Sequence, residues 1–302
     1  MKTQVKSSDT KKEQRNSTPG KHRFAIQVDG DNREYYVHIH QTYEGSSRFP
    51  VVLMLHGSGG NGEKFYKISG WVQQGEDANI ITVFPSAWKY DCVEDDGMQK
   101  HNAEKWTGYD LELCDNVIRR DDVKFLGKVI EAVASRYNTE TERVYMVGFS
   151  NGGEMAARCA IELSDKLSAV VACAGSIPPD TTFTPLRRLP VLLQIGAADA
   201  KLMAKLGATS PLSLNFPKVL ATYPQVQSIL NSYIDSFGLN PNYTATGDPG
   251  KYIVAKYSNN SGPRNDFGFA IVKDLEHEYP NGRNHPMHGA KVHWEWMKDF
   301  DL

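Results

Sequence analysis

The pentapeptide Gly148-Phe149-Ser150-Asn151-Gly152 stands directly after the apolar run Val144-Tyr145-Met146-Val147 and directly before the helix-forming segment Gly153-Glu154-Met155-Ala156-Ala157-Arg158-Cys159-Ala160. A serine between two glycines at such a junction limits the fold sharply. The chain must leave a buried strand, turn at the serine and enter a helix within a few residues. Glycine is needed on both sides because the tight turn leaves no room for a Cβ against its own strand and helix. The same turn exposes the serine oxygen, the first requirement for using a hydroxyl as a nucleophile. Taken alone, the motif also reads as an ordinary glycine-rich turn.

The surrounding chain favours the first reading. Residues 50–57, 80–84, 168–172, 191–195 and 269–272 are short apolar runs, the pattern of strands covered on both faces in a parallel sheet. Residues 24–28 and 35–40, with the turn residues Gly30-Asp31-Asn32 between them, read as an antiparallel hairpin. Helical periodicity is clearest over residues 121–137, where Val123, Leu126, Val129, Ile130 and Val133 recur at three- and four-residue steps. Further helices are expected over residues 225–237 and 290–300. This alternation predicts an α/β architecture, a mostly parallel doubly wound sheet with an antiparallel N-terminal hairpin, in a single catalytic domain spanning residues 22–302. Residues 86–116 and 200–224 are expected to be irregular. Each comes after a strand at its C-terminal end, so both are candidate walls of a ligand site.

Charge excludes some functions. Lys and Arg number 34 against 36 Asp and Glu, a formal charge of −2 in 302 residues. No global field pulls such a chain toward nucleic acid or an anionic membrane. No run approaches the roughly 20 apolar residues of a membrane span. Residues 1–21 are polar and charged and read as a disordered leader, or as the stretch left once a secretion signal has been cut away; a secreted or periplasmic location is the expectation. Of the 4 cysteines, Cys92 and Cys114 flank a loop-like stretch and are placed to close it in an oxidising compartment. Cys159 and Cys173 read as buried small residues.

If Ser150 is the nucleophile, it needs a base, an orienting acid and oxyanion donors. In folds with this kind of elbow the chain order is nucleophile, acid, base. His277, a few residues past the strand 269–272, stands at the right sheet edge for the base. His285 and His288 compete for that role, and their spacing also resembles a weak metal pair, while His293 reads as a helix residue. Asp199 is the first carboxylate after the strand 191–195 and is the candidate acid. The competing reading is a helix N-cap for residues 200–206. The two oxyanion amides are expected from Asn151, at a helix N-terminus, and from Ser58 in the loop His56-Gly57-Ser58-Gly59-Gly60. Trp88, Trp106 and Tyr279 are candidate substrate walls, with core packing the competing reading.

The order His56-Gly57-x-Gly59-Gly60, then Arg120-Asp121-Asp122-Val123-x-Phe125, then Gly148-Phe149-Ser150-Asn151-Gly152-Gly153, resembles the feruloyl esterases and polyhydroxybutyrate depolymerase-like esterases of the α/β-hydrolase superfamily, grouped with carbohydrate esterase family 1. The resemblance runs from residue 24 to the C-terminus, and Trp106 and Cys114 fit the group's layout. It implies the α/β-hydrolase fold and a serine carboxylic ester hydrolase with Ser150, Asp199 and His277 as nucleophile, acid and base. It also implies no metal or organic cofactor, and a small-molecule, polysaccharide-linked or polyester ester as substrate, with no nucleic-acid partner. The segments Gln194-Ile195-Gly196-Ala197-Ala198-Asp199 and Leu275-Glu276-His277-Glu278-Tyr279-Pro280 depart from the group's sequences around acid and base. A peptidase or acyltransferase on the same fold, and a non-catalytic carbohydrate-binding protein, are the alternatives.

Overall fold

The computed structural model describes residues 18–93, 97–109, 118–259 and 265–302. The chain opens with β1 (Gly20–Val28) and β2 (Asp31–Ile39), which form an antiparallel hairpin. Gly20 and Lys21, read from sequence as the end of a leader, are already strand residues; residues 1–17 lie outside those described. The hairpin turns on Asp29 and Gly30, both at positive φ (51° and 91°). That is the turn whose twist matches two right-twisted strands, so Asp31 and Asn32 belong to the ladder, not to the turn.

There follow β3 (Phe49–Leu55), α1 (Gly62–Ile68), α2 (Trp71–Ala78), β4 (Ile81–Pro85), β5 (Trp88–Val93), β6 (Gln99–Lys105), α3 (Asp122–Arg136), β7 (Thr139–Phe149) and α4 (Asn151–Glu162). The second half comprises β8 (Ala169–Cys173), β9 (Val191–Gly196), α5 (Ala200–Leu206), α6 (Phe216–Thr222), α7 (Pro224–Phe237), β10 (Tyr243–Asp248), β11 (Tyr252–Tyr257), β12 (Phe267–Val272) and α8 (Gly289–Met297).

Among the described residues ten strands make one sheet in the order β1-β2-β4-β3-β7-β8-β9-β12-β11-β10. The block from β4 to β12 is parallel, and antiparallel strands close both edges. Every residue of β3, β4, β8, β9 and β12 is buried. Their side chains alternate between two cores. On one face Val51, Leu53 and Leu55 belong to the same buried cluster as Phe125 and Val129 of α3, Met155 of α4 and Leu230 and Tyr233 of α7. On the other face Val52 and Met54 belong to the same buried cluster as Phe65 of α1, Trp71 of α2 and Trp294 and Met297 of α8. Helices therefore cover both faces, as the apolar runs require.

Two expectations need correction. The stretch 86–116 is not wholly irregular, because β5 and β6 pair into a separate two-stranded sheet. The stretch 200–224 holds α5 and α6. These elements are short, and β6 and the unanticipated β10 carry mostly exposed polar residues, so no apolar period marks those two strands. Cys92 is disulfide-bonded, while its expected partner Cys114 lies outside the described residues. Cys159 and Cys173 are free and buried. Among the described residues no helix is long and apolar enough to cross a membrane.

Candidate active site

The sheet reverses its winding between β4 and β7: from β3 the chain passes to β4 on one side, and β7 lies on the other. A crevice opens beyond the carboxyl ends of strands at such a point. The expected nucleophile, acid, base and oxyanion residues lie there, just past the ends of β3, β7, β9 and β12.

Ser150 occupies the turn between β7 and α4 at φ 54° and ψ −125°. A non-glycine residue in the left-handed region carries strain of order 1–3 kcal/mol, which persists only where the surroundings enforce it. Here the Ser150 N–H donates to the Cys173 carbonyl at 2.8 Å, and its carbonyl accepts from Glu154 N–H at 3.0 Å. Gly152 is indispensable to this packing, since a Cβ there would fall 2.3 Å from the His56 carbonyl oxygen. The first turn of α4 is thus pressed against the end of β3.

Ser150 Oγ lies 2.8 Å from His277 Nε2, and His277 Nδ1 lies 2.8 Å from Asp199 Oδ2. The three side chains identified from sequence converge. His285 Nε2 instead donates to the Lys273 carbonyl at 3.0 Å. Among the described residues no group of three or more His, Cys, Asp or Glu side chains is arranged to hold a metal.

Asp199 is both things its sequence position suggested. Its Oδ1 accepts the N–H groups of Lys201 and Leu202 at 3.0 and 3.1 Å, capping α5, while Oδ2 faces the histidine. Burial opposes ionisation of this carboxyl. The His277 hydrogen bond and charge, with the two cap amides, outweigh burial and hold its pKa below the usual aspartate value. An ionised carboxylate only accepts, so the Nδ1–H of His277 must donate to it. Nε2 is then free to accept from Ser150. The ring of Phe149, 5.2 Å away centroid to centroid, supports the imidazole.

The loop after β3 comes within contact of the serine, because a Cβ on Gly57 would lie 3.2 Å from Ser150 Cβ. His56 anchors this loop from inside the protein. Its Nε2 accepts the Ala87 N–H at 3.0 Å, so Nδ1 carries the proton and donates to the Gly57 carbonyl at 2.8 Å. Burial lowers its pKa to about 4, which keeps it neutral. Ser58 comes next but one on this loop, and Asn151 begins α4 across from it. The first amides of a helix have no acceptor within the helix.

Two of the three aromatic walls read from sequence require correction. Trp106 is 0% exposed and Tyr279 5% exposed, so neither presents a face to a ligand. Trp106 donates Nε1–H to the His56 carbonyl at 2.9 Å. Tyr279 belongs to a buried relay of neutral groups. Trp71 Nε1–H donates to its hydroxyl at 2.9 Å, the hydroxyl donates to His293 Nδ1 at 3.0 Å, and His293 Nε2–H donates to Gln194 Oε1 at 2.9 Å. Burial lowers the His293 pKa to about 3, so its unprotonated Nδ1 is available to accept. Trp88 is half-buried beneath the guanidinium of Arg120, 4.9 Å from its ring centroid. It faces a polar cleft of about 390 Å³ whose lining includes neither Ser150 nor His277.

Sequence reasoning missed the roles of Asp122 and of the Asn151 side chain. Asp122 is fully buried, pairs with Arg33 at 2.6 Å through Oδ1, and accepts the N–H and Oγ1–H of Thr107 at 2.7 and 3.0 Å through Oδ2. The signal was its place on the core stripe of α3 with Phe125, Leu126, Val129 and Val133.

A strained serine at a strand-to-helix turn, bonded to a histidine that is itself bonded to a buried aspartate, on a doubly wound sheet, defines an α/β-hydrolase. The chain belongs to the phospholipase/carboxylesterase family, Abhydrolase_2, whose profile matches residues 44–214. It is 31% identical over 154 residues to the putative esterase NocK of Nocardia uniformis subsp. tsuyamanensis, an alignment covering 50% of this chain and 40% of that protein. It is 22% identical over 163 residues to feruloyl esterase B of Thermothelomyces thermophilus, covering 51% and 50%. The chain therefore matches half or less of the length of these two relatives. Acetyl xylan esterase from Aspergillus awamori shares the fold, with a TM-score of 0.57 at 15% identity over 92% of this chain and 99% of that one.

Proposed function

We propose that this protein is a serine carboxylic ester hydrolase that works through an acyl-enzyme. The carrying observation is the unbroken chain Ser150 Oγ, His277 Nε2, His277 Nδ1, Asp199 Oδ2, with 2.8 Å at each hydrogen bond. As Oγ attacks the ester carbonyl, its proton passes to Nε2, and Asp199 stabilises the imidazolium that results. The tetrahedral oxyanion is held by the N–H groups of Ser58 and Asn151 and by the positive end of α4. Collapse breaks the ester C–O bond, and Nε2 returns its proton to the departing alcohol. A water, deprotonated by the same nitrogen, then attacks the acyl-enzyme and releases the acid while Ser150 regains its proton. No step calls for a metal or an organic cofactor.

The substrates we infer are feruloyl, other aryl or acetyl esters carried on plant polysaccharide, or polyester oligomers. The motif order and the names of the feruloyl and acetyl xylan esterase relatives support this class. A disulfide at Cys92 supports action in an oxidising compartment, outside the cytoplasm. Turnover of p-nitrophenyl acetate by wild type and Ser150→Ala tests the nucleophile. Ser150→Ala is expected to lose activity by about 10³-fold or more. Equal turnover by the two proteins would reject the proposal. Methyl ferulate, acetylated xylan and hydroxybutyrate oligomers, assayed side by side, then separate the substrate classes.

A further inference from the structure

The two amides that would hold the oxyanion sit on separate elements, the loop after β3 and the start of α4. The β3–β7 ladder registers them only as far as Leu55 opposite Gly148. Beyond that pair, backbone pairing between the two strands no longer fixes how far Ser58 stands from Asn151. Besides the direct packing of Gly57 on Ser150 and of Gly152 on the His56 carbonyl, one segment hydrogen-bonds to both elements. Gly59 N–H donates to the Glu104 carbonyl at 2.9 Å. Trp106 Nε1–H donates to the His56 carbonyl at 2.9 Å, two residues before Ser58. The Trp106 backbone N–H donates to Asn151 Oδ1 at 2.7 Å, and its carbonyl accepts from Asn151 Nδ2 at 3.2 Å.

The segment is itself held rigidly. The indole stacks on Phe125, with centroids 6.5 Å apart and planes at 17°, and meets the His56 ring at 5.1 Å. Thr107, the next residue, is clamped on Asp122, which the buried Arg33 neutralises. The bonds of Trp106 and Thr107 join buried groups to specific partners, so a change in one is transmitted and not absorbed by solvent, whereas the Gly59–Glu104 bond lies nearer the surface.

Resting on the reading of Ser150, Ser58 and Asn151 given above, we propose that Trp106 is a positioning residue for ester hydrolysis. It ties the two oxyanion amides to one rigid strut and so fixes their separation, without touching substrate. Because an oxyanion site gains its effect from donors already in place, a displacement of about 1 Å can cost around 100-fold in rate. The strut therefore acts on the transition state and leaves ground-state binding alone.

The test is Trp106→Phe, which keeps the ring packing and removes the Nε1–H donor. Its expected signature is a kcat per titrated active site about 10- to 100-fold below wild type with KM within about twofold. Affinity for a boronic acid, whose tetrahedral adduct with Ser150 mimics the intermediate, should fall by the same factor as kcat/KM. A merely structural role would lower the melting temperature and the number of titratable sites while leaving kcat per site intact. Should Trp106→Phe fail to fold, Asn151→Ala carries the same expectation, since it removes both bonds to the Trp106 backbone but keeps the Asn151 amide. A per-site kcat within about twofold of wild type overturns the strut. Ser150→Ala, run alongside, separates the two failures. If it is inactive while Trp106→Phe is normal, only the strut falls; if it is active, the nucleophile reading falls first.

Discussion

Asp199 divides its two carboxylate oxygens between structure and chemistry, and substitution can separate them. In Asp199→Asn the amide oxygen can still accept from the Lys201 and Leu202 N–H groups, and asparagine is as good an N-cap as aspartate. The amide NH₂, however, donates where Oδ2 now accepts from His277 Nδ1. The imidazole must respond by moving its proton to Nε2, the atom that should receive the proton of Ser150. The wrong tautomer of a catalytic histidine costs about 10⁴ in kcat, or roughly 5.4 kcal/mol of transition-state stabilisation. Stability should change by well under about 1 kcal/mol. In Asp199→Ala both functions go: the rate falls as before, and loss of the cap costs a further ~1 kcal/mol of stability, roughly 2 °C in melting temperature for a chain of this size. The assay pairs p-nitrophenyl acetate kinetics with thermal unfolding of the three proteins at pH 7. Because the folded carboxyl titrates below its ordinary 3.8, the charge contributes stability above that pH and ceases to do so as pH falls through the folded value. Retention of kcat within about tenfold by Asp199→Asn would refute the tautomer argument. Equal stability of the asparagine and alanine variants would refute the capping one.

Two further outcomes concern stability. Arg33→Met leaves the buried Asp122 carboxylate without its cation and should cost about 3–5 kcal/mol in urea unfolding, whereas adding Asp122→Asn removes the stranded charge and should restore most of it; a single-variant loss below about 1 kcal/mol would show the pair contributes little. His56 and His293 are held neutral, with pKa values lowered from 6.5 to about 4 and about 3. The unfolded chain takes up protons below pH 6.5 that the folded one refuses, so stability should fall as pH drops from about 6.5 toward 4, each histidine steepening the slope by up to ~1.4 kcal/mol per pH unit. Unfolding free energies from urea titrations between about pH 8 and 4.5 check this, and a flat profile for wild type would contradict it.

Much of the parallel block could be read from sequence because its strands are buried on both faces and are written as unbroken apolar runs. The elbow was legible for a similar reason: a Gly-x-Ser-x-Gly between strand and helix has few structural solutions. Chain order then led to Asp199 and His277. The β5–β6 and β10–β11 hairpins were missed because one strand of each, β6 and β10, is mostly exposed and polar, so the alternation of β5 and the apolar run of β11 have no partner that the sequence marks. Trp106 and Tyr279 were misjudged for a different cause. A tryptophan in a polar stretch looks like a surface platform, and only the fold reveals that the indole N–H is satisfied from within. Asp122 hid behind its neighbour: of two adjacent aspartates, Asp121 caps α3 by accepting Lys124 N–H at 2.8 Å, and its twin turns inward.

The relay from Trp71 through Tyr279 and His293 to Gln194 has a bearing on working conditions. Tyr279 stands two residues past His277, so the loop presenting the imidazole is moored to α2, α8 and β9 by groups that carry no formal charge at neutral pH. Counter-ions have nothing there to screen. The mooring should therefore hold equally well in dilute buffer and in brine, a tolerance that the charged Arg33–Asp122 tie owes only to its depth.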